Sequence, residues 1–258
     1  MTKCSTPDEF FGPISIKKLK EEDKYERLTS EYMPGATIVF LDEIWKASSS
    51  IQNALLTIIN ERVYRNGEQE TKVDIKSILT ASNELPPNNA SFGPLWDRLL
   101  IRFQMNGVKQ RNSFIKLITD TKDVYDVNIP AENQINLDEL SEWGKEINEV
   151  EVPEEVLNTI QFIREKIENF NEKKGQEEAI EIYDRRWKKI IRLLRTSAYL
   201  NDRKQIDLMD CFLMVHCLWN TPNQIEPIKD IVSEVIRKHG YSVTVSYTHL
   251  RAHETKAN

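Results

Sequence analysis

The sequence reads TIVFLDE at residues 37–43, SSSIQNALLTIINER at residues 48–62 and VDIKSILTASN at residues 73–83, a pattern of strand, helix and strand. The first and third stretches are apolar, as in strands that are buried on both faces of a parallel sheet. In the second stretch, isoleucines and leucines recur at helical spacing behind serines that can cap a helix. A short connection of this kind places both strands parallel in one sheet.

Polar side chains follow both predicted strands. Asp42 and Glu43 end the first strand, and Asn83 follows the second. Because parallel strands of a βαβ unit end at the same edge, where α/β folds bind their ligands, we expect the three side chains to meet there. One carboxylate suits Mg²⁺, a second can deprotonate an attacking water, and an amide can contact a terminal phosphate. The pattern indicates nucleotide hydrolysis, although acids also follow many ordinary solvated strands.

Length and charge narrow the class of protein. The 258 residues suffice for one large domain or two modest ones. The net charge is −6, and residues 121–180 carry 6 basic against 16 acidic side chains. A nucleic-acid binder would present a broad basic face, so no nucleic-acid partner is expected. No apolar run approaches the roughly 18 residues that cross a bilayer, so no membrane span is expected.

The cysteines indicate a reducing compartment. Cys4, Cys211 and Cys217 are few, and the N-terminus does not have the pattern of a secretory signal, so we expect a cytoplasmic protein. Cys211, His216 and Cys217 lie close together in sequence. Their spacing puts them on different helix faces and a fourth ligand is missing, so we do not expect a zinc site.

In the middle of the chain, the prediction changes from strand to helix and then to a linker or peripheral helices. Leu99 to Met105 could form a third strand, and residues 106–120 have a helical pattern. Residues 121–152 are acidic and weakly periodic, which favours a linker or peripheral helices.

The C-terminal part is predicted to be a small helical domain. Pro153 is expected at the first position of a helix, with acidic residues in its first turn. Further helices are expected over residues 184–200 and 207–219, the latter capped by Asp207. The basic residues of the 184–200 helix are expected on its outer face.

Several motifs in a fixed order resemble one family. They are STPDEFFGPISIKKLK (5–20), KYERLTSEYMPGA (24–36), IVFLDEIWKASSSIQNALLTIINERVYRNG (38–67), ILTASNELP (78–86), LWDRLLIR (95–102) and IYDRRWKKIIRLLRTSAYL (182–200). They resemble the MoxR branch of the AAA+ ATPases, and within it RavA, the regulatory ATPase variant. The resemblance implies an α/β, P-loop NTPase-like core with a parallel sheet, followed by an all-α lid. It also implies ATP hydrolysis with Mg²⁺, coupled to chaperone-like remodelling of protein complexes by a ring, expected to be a hexamer of identical subunits.

The resemblance assigns a role to five residues. Asp42 matches the Walker B aspartate, which holds Mg²⁺ through water, and Glu43 matches the glutamate that activates the attacking water. Asn83 matches sensor 1. Arg98 matches the arginine finger that reaches a neighbouring subunit, and Arg186 matches the sensor 2 arginine that contacts phosphate from the lid.

Each arginine also has a simpler interpretation. Arg98 could form a surface ion pair with Asp97, which would contribute little, and Arg102 competes with it for the role of the finger. Arg186 could belong to a solvated basic helix face. Trp187 beside it is expected to pack rather than to stack on a nucleotide.

The sequence departs from the family at both ends. The phosphate-binding motif GxxxxGK[ST] does not occur, since the only Gly-Lys pair, Gly144-Lys145, has Glu139 where the first glycine belongs. We therefore interpret the chain as a truncated product that lacks the first strand of the sheet, and expect weak nucleotide binding. The alternative is a non-catalytic protein-interaction fragment that no longer binds nucleotide.

The expected organisation has four parts. They are a partial AAA+ core (1–120), an acidic linker with peripheral helices (121–152), a helical lid (153–245) and a non-native tail (246–258). The tail contains His249 and His253, whose spacing of four we do not interpret as a metal site.

Overall fold

The computed structural model describes residues 6–86, 92–121, 129–175 and 178–238. The chain divides into two compact units, Met1–Leu99 (unit 1) and Leu100–Asn258 (unit 2). Each unit is described by itself. Within the described ranges, every helix is too short or too polar to cross a membrane. Cys4, residues 122–128 of the predicted linker and the tail 246–258 lie outside these ranges.

Unit 1 is a mixed α/β unit. In chain order its elements are α1 (Pro7–Phe11), α2 (Ile16–Glu21), β1 (Ile38–Asp42), α3 (Ser49–Glu61), β2 (Val63–Asn66), β3 (Gln69–Lys72), β4 (Ser77–Ala81) and α4 (Gly93–Trp96). β1 pairs with β4 in parallel, with Ile38 opposite Ser77 and Asp42 opposite Ala81. This pairing confirms the predicted strand, helix and parallel strand, with α3 between them.

The prediction that β1 is buried on both faces is wrong. Val39 and Leu41 are buried in one core with Leu55 of α3, whereas Ile38 and Phe40 are each 66% exposed. Within the described part of the chain, β1 and β4 form a two-stranded sheet. Helix α3 packs on one face of this sheet, so alternate side chains on the other face remain exposed.

An antiparallel hairpin lies between α3 and β4. β2 and β3 pair from Val63 opposite Lys72 to Asn66 opposite Gln69. Gly67 at the turn has φ +64°, and a Cβ there would lie 2.4 Å from the carbonyl oxygen of Tyr25. The turn therefore requires glycine, both for its left-handed backbone and for the close approach of the segment 24–36.

Unit 2 is helical. Its elements are α5 (Arg111–Thr119), α6 (Leu137–Glu149), α7 (Glu154–Lys174), α8 (Asp184–Leu200), a 3₁₀ helix (Leu208–Met214), α9 (Val215–Leu218) and α10 (residues 225–238). α6 begins at a capping box formed by Asn136 and Glu139. It packs on α8, where the rings of Trp143 and Tyr199 are 6.3 Å apart.

Three boundary predictions from residue 99 onward need correction. The described residues of Leu99–Met105 do not form a strand, because the strands that the structure describes pair among themselves and leave this segment without a ladder. Residues 106–110 precede α5 rather than begin it. Pro153 is the N-cap of α7 and not its first residue, since its ψ of 151° is extended while its carbonyl already accepts from Val156.

The segment that follows α8 starts as predicted but winds more tightly. Asp207 caps it by accepting from the N–H of Met209 at 2.7 Å, and Asp210 completes a capping box. The first seven residues are 3₁₀ rather than α. Cys211 and Cys217 are fully buried here, and burial raises the pKa of each thiol to about 12. Both thiols are therefore protonated and behave as apolar side chains.

Candidate functional site

Asp42, Glu43 and Asn83 lie together at the carboxyl end of the parallel strands, as the sequence predicts. The backbone N–H of Glu43 donates to the carbonyl of Ala81 at 2.7 Å, which extends the ladder one residue beyond Asp42. The N–H of Asn83 lies 3.4 Å from Oε1 of Glu43, a long hydrogen bond. The edge therefore presents two carboxylates and an amide, with Asp42 and Asn83 exposed.

Glu43 has a left-handed backbone. Its φ is 53° and its ψ is 43°, a conformation that non-glycine residues adopt only at a cost. The chain consequently turns at once into a 3₁₀ turn, Ile44–Lys46, which inserts Ile44 and Trp45 into the core of unit 1. The backbone of Glu43 thus changes the chain's direction at the point where its carboxylate must face the edge.

Lys46 contacts the carboxylate of Glu43. Its Nζ lies 3.0 Å from Oε2 of Glu43, an oxygen that is shielded from solvent. This contact is the main cause that lowers the pKa of Glu43, and the N–H of Asn83 lowers it further. The same contact raises the pKa of Lys46. Glu43 is therefore ionised at neutral pH, which a proton acceptor requires.

Lys46 was not predicted from the sequence as part of this site. The residue stands three positions after Glu43, and a backbone that turns tightly after the strand brings such residues together. The spacing of Glu43 and Lys46 was the available signal, but it becomes a contact only through the left-handed conformation of Glu43.

The donor set at the edge suits a magnesium ion. Asp42, Glu43 and Asn83 offer only oxygen atoms as ligands, which Mg²⁺ prefers. Within the described ranges, His, Cys, Asp and Glu do not gather in groups of three or more that could enclose a metal. The small number of carboxylate ligands at the edge suits Mg²⁺, which keeps several waters and is held by one or two carboxylates together with phosphate oxygens.

Arg98 lies in the turn after α4 of the same unit. Its Nε donates to Oδ1 of Asn60 at the end of α3, and its Nη1 donates to the carbonyl of Pro94 at 2.5 Å. Asp97, the neighbour that could have formed an ion pair at the surface, is itself buried. The guanidinium is thus directed by the end of α3 and by α4.

Arg102 and Arg186 belong to unit 2 and are both buried. Arg102 is 3% exposed and donates to the carbonyl of Trp219 and, at 3.0 Å, to Oδ1 of Asn220. Arg186 is 2% exposed and donates to the same oxygen at 3.0 Å. The prediction that the basic residues of α8 all face outward is therefore wrong for Arg186, because Oδ1 of Asn220 provides an acceptor on the inner side of the helix.

The comparisons with known proteins agree with this architecture. Residues 1–145 match the family described as "MoxR domain in the MoxR-vWA-beta-propeller ternary systems", and residues 155–232 match an AAA lid domain. A solved "putative ATPase" from Cytophaga hutchinsonii has the same fold over 92% of this chain and 75% of its own, with a TM-score of 0.62 and 17% identity. The predicted fold class, a mixed α/β core with a parallel sheet and a helical lid, is confirmed.

Two proteins of Methanocaldococcus jannaschii are similar along most of the chain. "Uncharacterized protein MJ0079" is 36% identical over 243 residues, which are 94% of this chain and 60% of that protein. "Uncharacterized protein MJ0812" is 38% identical over 224 residues, or 87% of this chain and 56% of that protein. The chain thus spans less than two thirds of the length of either relative.

Proposed function

Because this chain belongs to the MoxR-type AAA+ ATPases, we propose that its strand edge is the hydrolytic part of an ATPase site. The observation that carries the proposal is the meeting of Asp42, Glu43 and Asn83 where two parallel strands end. Ligands of α/β sheets bind at this edge. The ionised state of Glu43 and the oxygen-only donor set support the same chemistry.

Each residue at the edge has a role in the proposed reaction. Mg²⁺ bound with ATP supplies charge neutralisation at the phosphates. Asp42 is the residue that would hold the ion. Glu43 orients the attacking water and takes its proton at the carboxylate, while the Asn83 amide donates to the terminal phosphate.

Two arginines complete the proposed site. Arg98 is the finger, which stabilises charge on the phosphoryl group of a neighbouring subunit's site. The burial of Arg102 inside unit 2 favours Arg98 over it for this role. Arg186 contacts phosphate from the lid, for which it must leave its hydrogen bond to Asn220.

We propose that the complete protein is a cytoplasmic ring of identical subunits, namely a hexamer. A finger that acts on a neighbour has a use only in such an assembly. ATP hydrolysis then drives chaperone-like remodelling of protein complexes, as in RavA. The matched family is described in terms of ternary systems with vWA and β-propeller components, and we extend the proposal to a vWA protein as partner.

A second candidate is a non-catalytic protein-interaction fragment. The observation in its favour is that GxxxxGK[ST] does not occur in the 258 residues. Backbone N–H groups of that motif hold the phosphates in P-loop enzymes, so this chain by itself is expected to bind nucleotide weakly.

The deciding experiment begins with the source DNA. The reading frame upstream of Met1 is searched for GxxxxGK[ST], and the protein that includes it is assayed for Mg²⁺-dependent ATP hydrolysis. Glu43→Gln is then expected to slow turnover by about 10²- to 10⁴-fold, because the amide cannot accept the proton of water. ATP binding is expected to stay within a few fold.

Glu84→Gln serves as the matched control, since Glu84 is an exposed acid just past the same edge. It should leave turnover nearly unchanged. Equal turnover of Glu43→Gln and the parent would remove Glu43 from its role. A stop codon upstream, together with a chain that does not bind ATP, would favour the interaction fragment.

A further inference from the structure

Two arginines of unit 2 share one hydrogen-bond acceptor. Nη1 of Arg102 and Nη1 of Arg186 each lie 3.0 Å from Oδ1 of Asn220. Both arginines are buried, so the protein rather than solvent sets the position of their guanidinium groups. An amide oxygen has two lone pairs, which is enough for one bond from each arginine.

Asn220 is itself fixed by other hydrogen bonds. Its Nδ2 donates to the carbonyl of Glu181 at 2.9 Å, and its backbone N–H donates to Oε1 of Gln224 at 2.8 Å. The backbone N–H of Arg102 donates to the carbonyl of His216, also at 2.8 Å. The shared oxygen therefore has a defined place, to which a guanidinium that leaves can return.

The two guanidinium groups carry the same charge and lie close together around this oxygen. Like charges repel, and they do so more strongly where water is excluded. An amide oxygen is neutral, whereas hydrogen bonds from arginine to phosphate are charge-assisted and about twice as strong. A phosphate near Arg186 would therefore compete well with Asn220, and the departure of Arg186 would leave the oxygen to Arg102 alone.

We propose that Asn220 is a positioning residue that couples Arg186 to Arg102, so that a change in the hydrogen bonding of one alters that of the other. Its purpose rests on the proposed function, in which Arg186 contacts phosphate. Arg102 stands in the segment that directly follows Arg98, the proposed finger. The binding of phosphate by the lid arginine is thereby communicated to that segment.

The coupling is tested on the 258-residue chain without nucleotide. Nitrogen-15 NMR follows the guanidinium N–H signals of Arg102. Arg186→Met is expected to shift these signals in the parent chain and to leave them unmoved in an Asn220→Leu background, where the shared acceptor is gone. In urea unfolding, Arg102→Met and Arg186→Met are expected to be coupled by about fivefold in the unfolding equilibrium constant, and the coupling should vanish with Asn220→Leu.

Arg185→Met is the matched control. Arg185 precedes Arg186 on α8 but is exposed, with its guanidinium 5.5 Å from the centre of the Tyr183 ring. It should leave the signals of Arg102 unchanged. Asn220→Asp keeps an acceptor at the same place and should retain the coupling. Asn220→Ala also removes the acceptor and takes the place of Asn220→Leu if that variant does not fold.

Two results would overturn the proposal. One is a set of Arg102 signals that does not respond to Arg186→Met, and the other is a coupling between the arginines that persists without an acceptor at position 220. An Asn220 that only stabilised its loop would lower stability without making the arginines interdependent. Because no nucleotide is used, failure here leaves the ATPase proposal intact, and a protein that does not hydrolyse ATP leaves the coupling intact.

Discussion

The polar groups of the two units differ in how they are held. At the edge in unit 1, Asp42 and Asn83 are exposed and Glu43 is held by one lysine and a long backbone contact. In unit 2, Arg186 and Asp210 are buried and bonded to neutral or charged partners. Exposed groups with few hydrogen bonds can bind a ligand directly. Buried groups contribute to stability and must exchange hydrogen-bond partners before they can react.

The largest effect is expected from Arg98, the residue of unit 1 that is proposed to be the finger. Arg98→Ala in the complete ring should lower ATP turnover by about 10³-fold or more, the usual contribution of an arginine finger. Its stability should change little, since its hydrogen bonds are to the side chain of Asn60 and one carbonyl near the surface. Steady-state hydrolysis and thermal unfolding measure the two quantities.

Mixing subunits sharpens this prediction. Arg98→Ala subunits keep Glu43, and Glu43→Gln subunits keep Arg98, so a mixed ring contains some sites with both intact residues if the finger acts across the interface. Turnover by the mixture should exceed that of either variant alone. A mixture whose turnover is only the sum of the two separate rates would contradict a finger that acts in trans. Lys116→Ala, an exposed change on α5, serves as the control for mixing itself.

The strand edge of unit 1 could be predicted from the sequence better than the buried hydrogen-bond network of unit 2. Asp42, Glu43 and Asn83 meet because apolar strands, a capped helix and the rule of parallel crossover are all local or nearly local signals. Lys46 was missed because its contact depends on a left-handed backbone at a glutamate, for which no residue preference exists. The exposed face of β1 was also missed, because apolar letters alone do not tell which face is covered.

In unit 2, the spacing of Arg186 from the apolar residues of α8 predicted its position better than its charge did. Arg186 stands four and eight residues before Ile190 and Leu194, which are both fully buried, and so shares their face of α8. The positive charge led to the prediction that it faces outward. Its acceptor, Asn220, comes from a distant segment, and the pairing of Arg186 with that amide could not be read from periodicity.

A medium effect is expected from Asp210, the buried carboxylate of unit 2. Burial alone would raise its pKa, but hydrogen bonds from Arg203 at 2.6 and 2.8 Å and from Ser197 at 2.7 Å outweigh it and lower the pKa. Asp210→Asn should lower the free energy of unfolding by about 1–3 kcal/mol at neutral pH, because these donors lose a charged partner.

The pH dependence follows from the lowered pKa. A carboxyl with a lower pKa in the folded state stabilises the protein above its unfolded pKa of about 3.9 and ceases to do so as the pH falls through the folded value. The parent and Asp210→Asn should therefore converge in stability as the pH is lowered below about 4. Asp230→Asn, an exposed change on α10, is the matched control and should leave the free energy of unfolding at neutral pH nearly unchanged. A constant difference between the parent and Asp210→Asn at all pH values would contradict the assignment.

The smallest effect tests whether the strand edge stores strain in the backbone of Glu43. Glu43→Gly and Glu43→Ala both remove the carboxylate and its contact with Lys46, but only glycine adopts the left-handed backbone without steric cost. The unfolding equilibrium should therefore favour the folded state about fivefold to tenfold more in the glycine variant than in the alanine variant. The same pair at Glu61, in the last turn of α3, should show the opposite order, because glycine weakens a helix relative to alanine. If alanine proved the more stabilising residue at both positions, the left-handed backbone of Glu43 would store no strain, and the position of its carboxylate against Lys46 would need another cause than the turn that begins there.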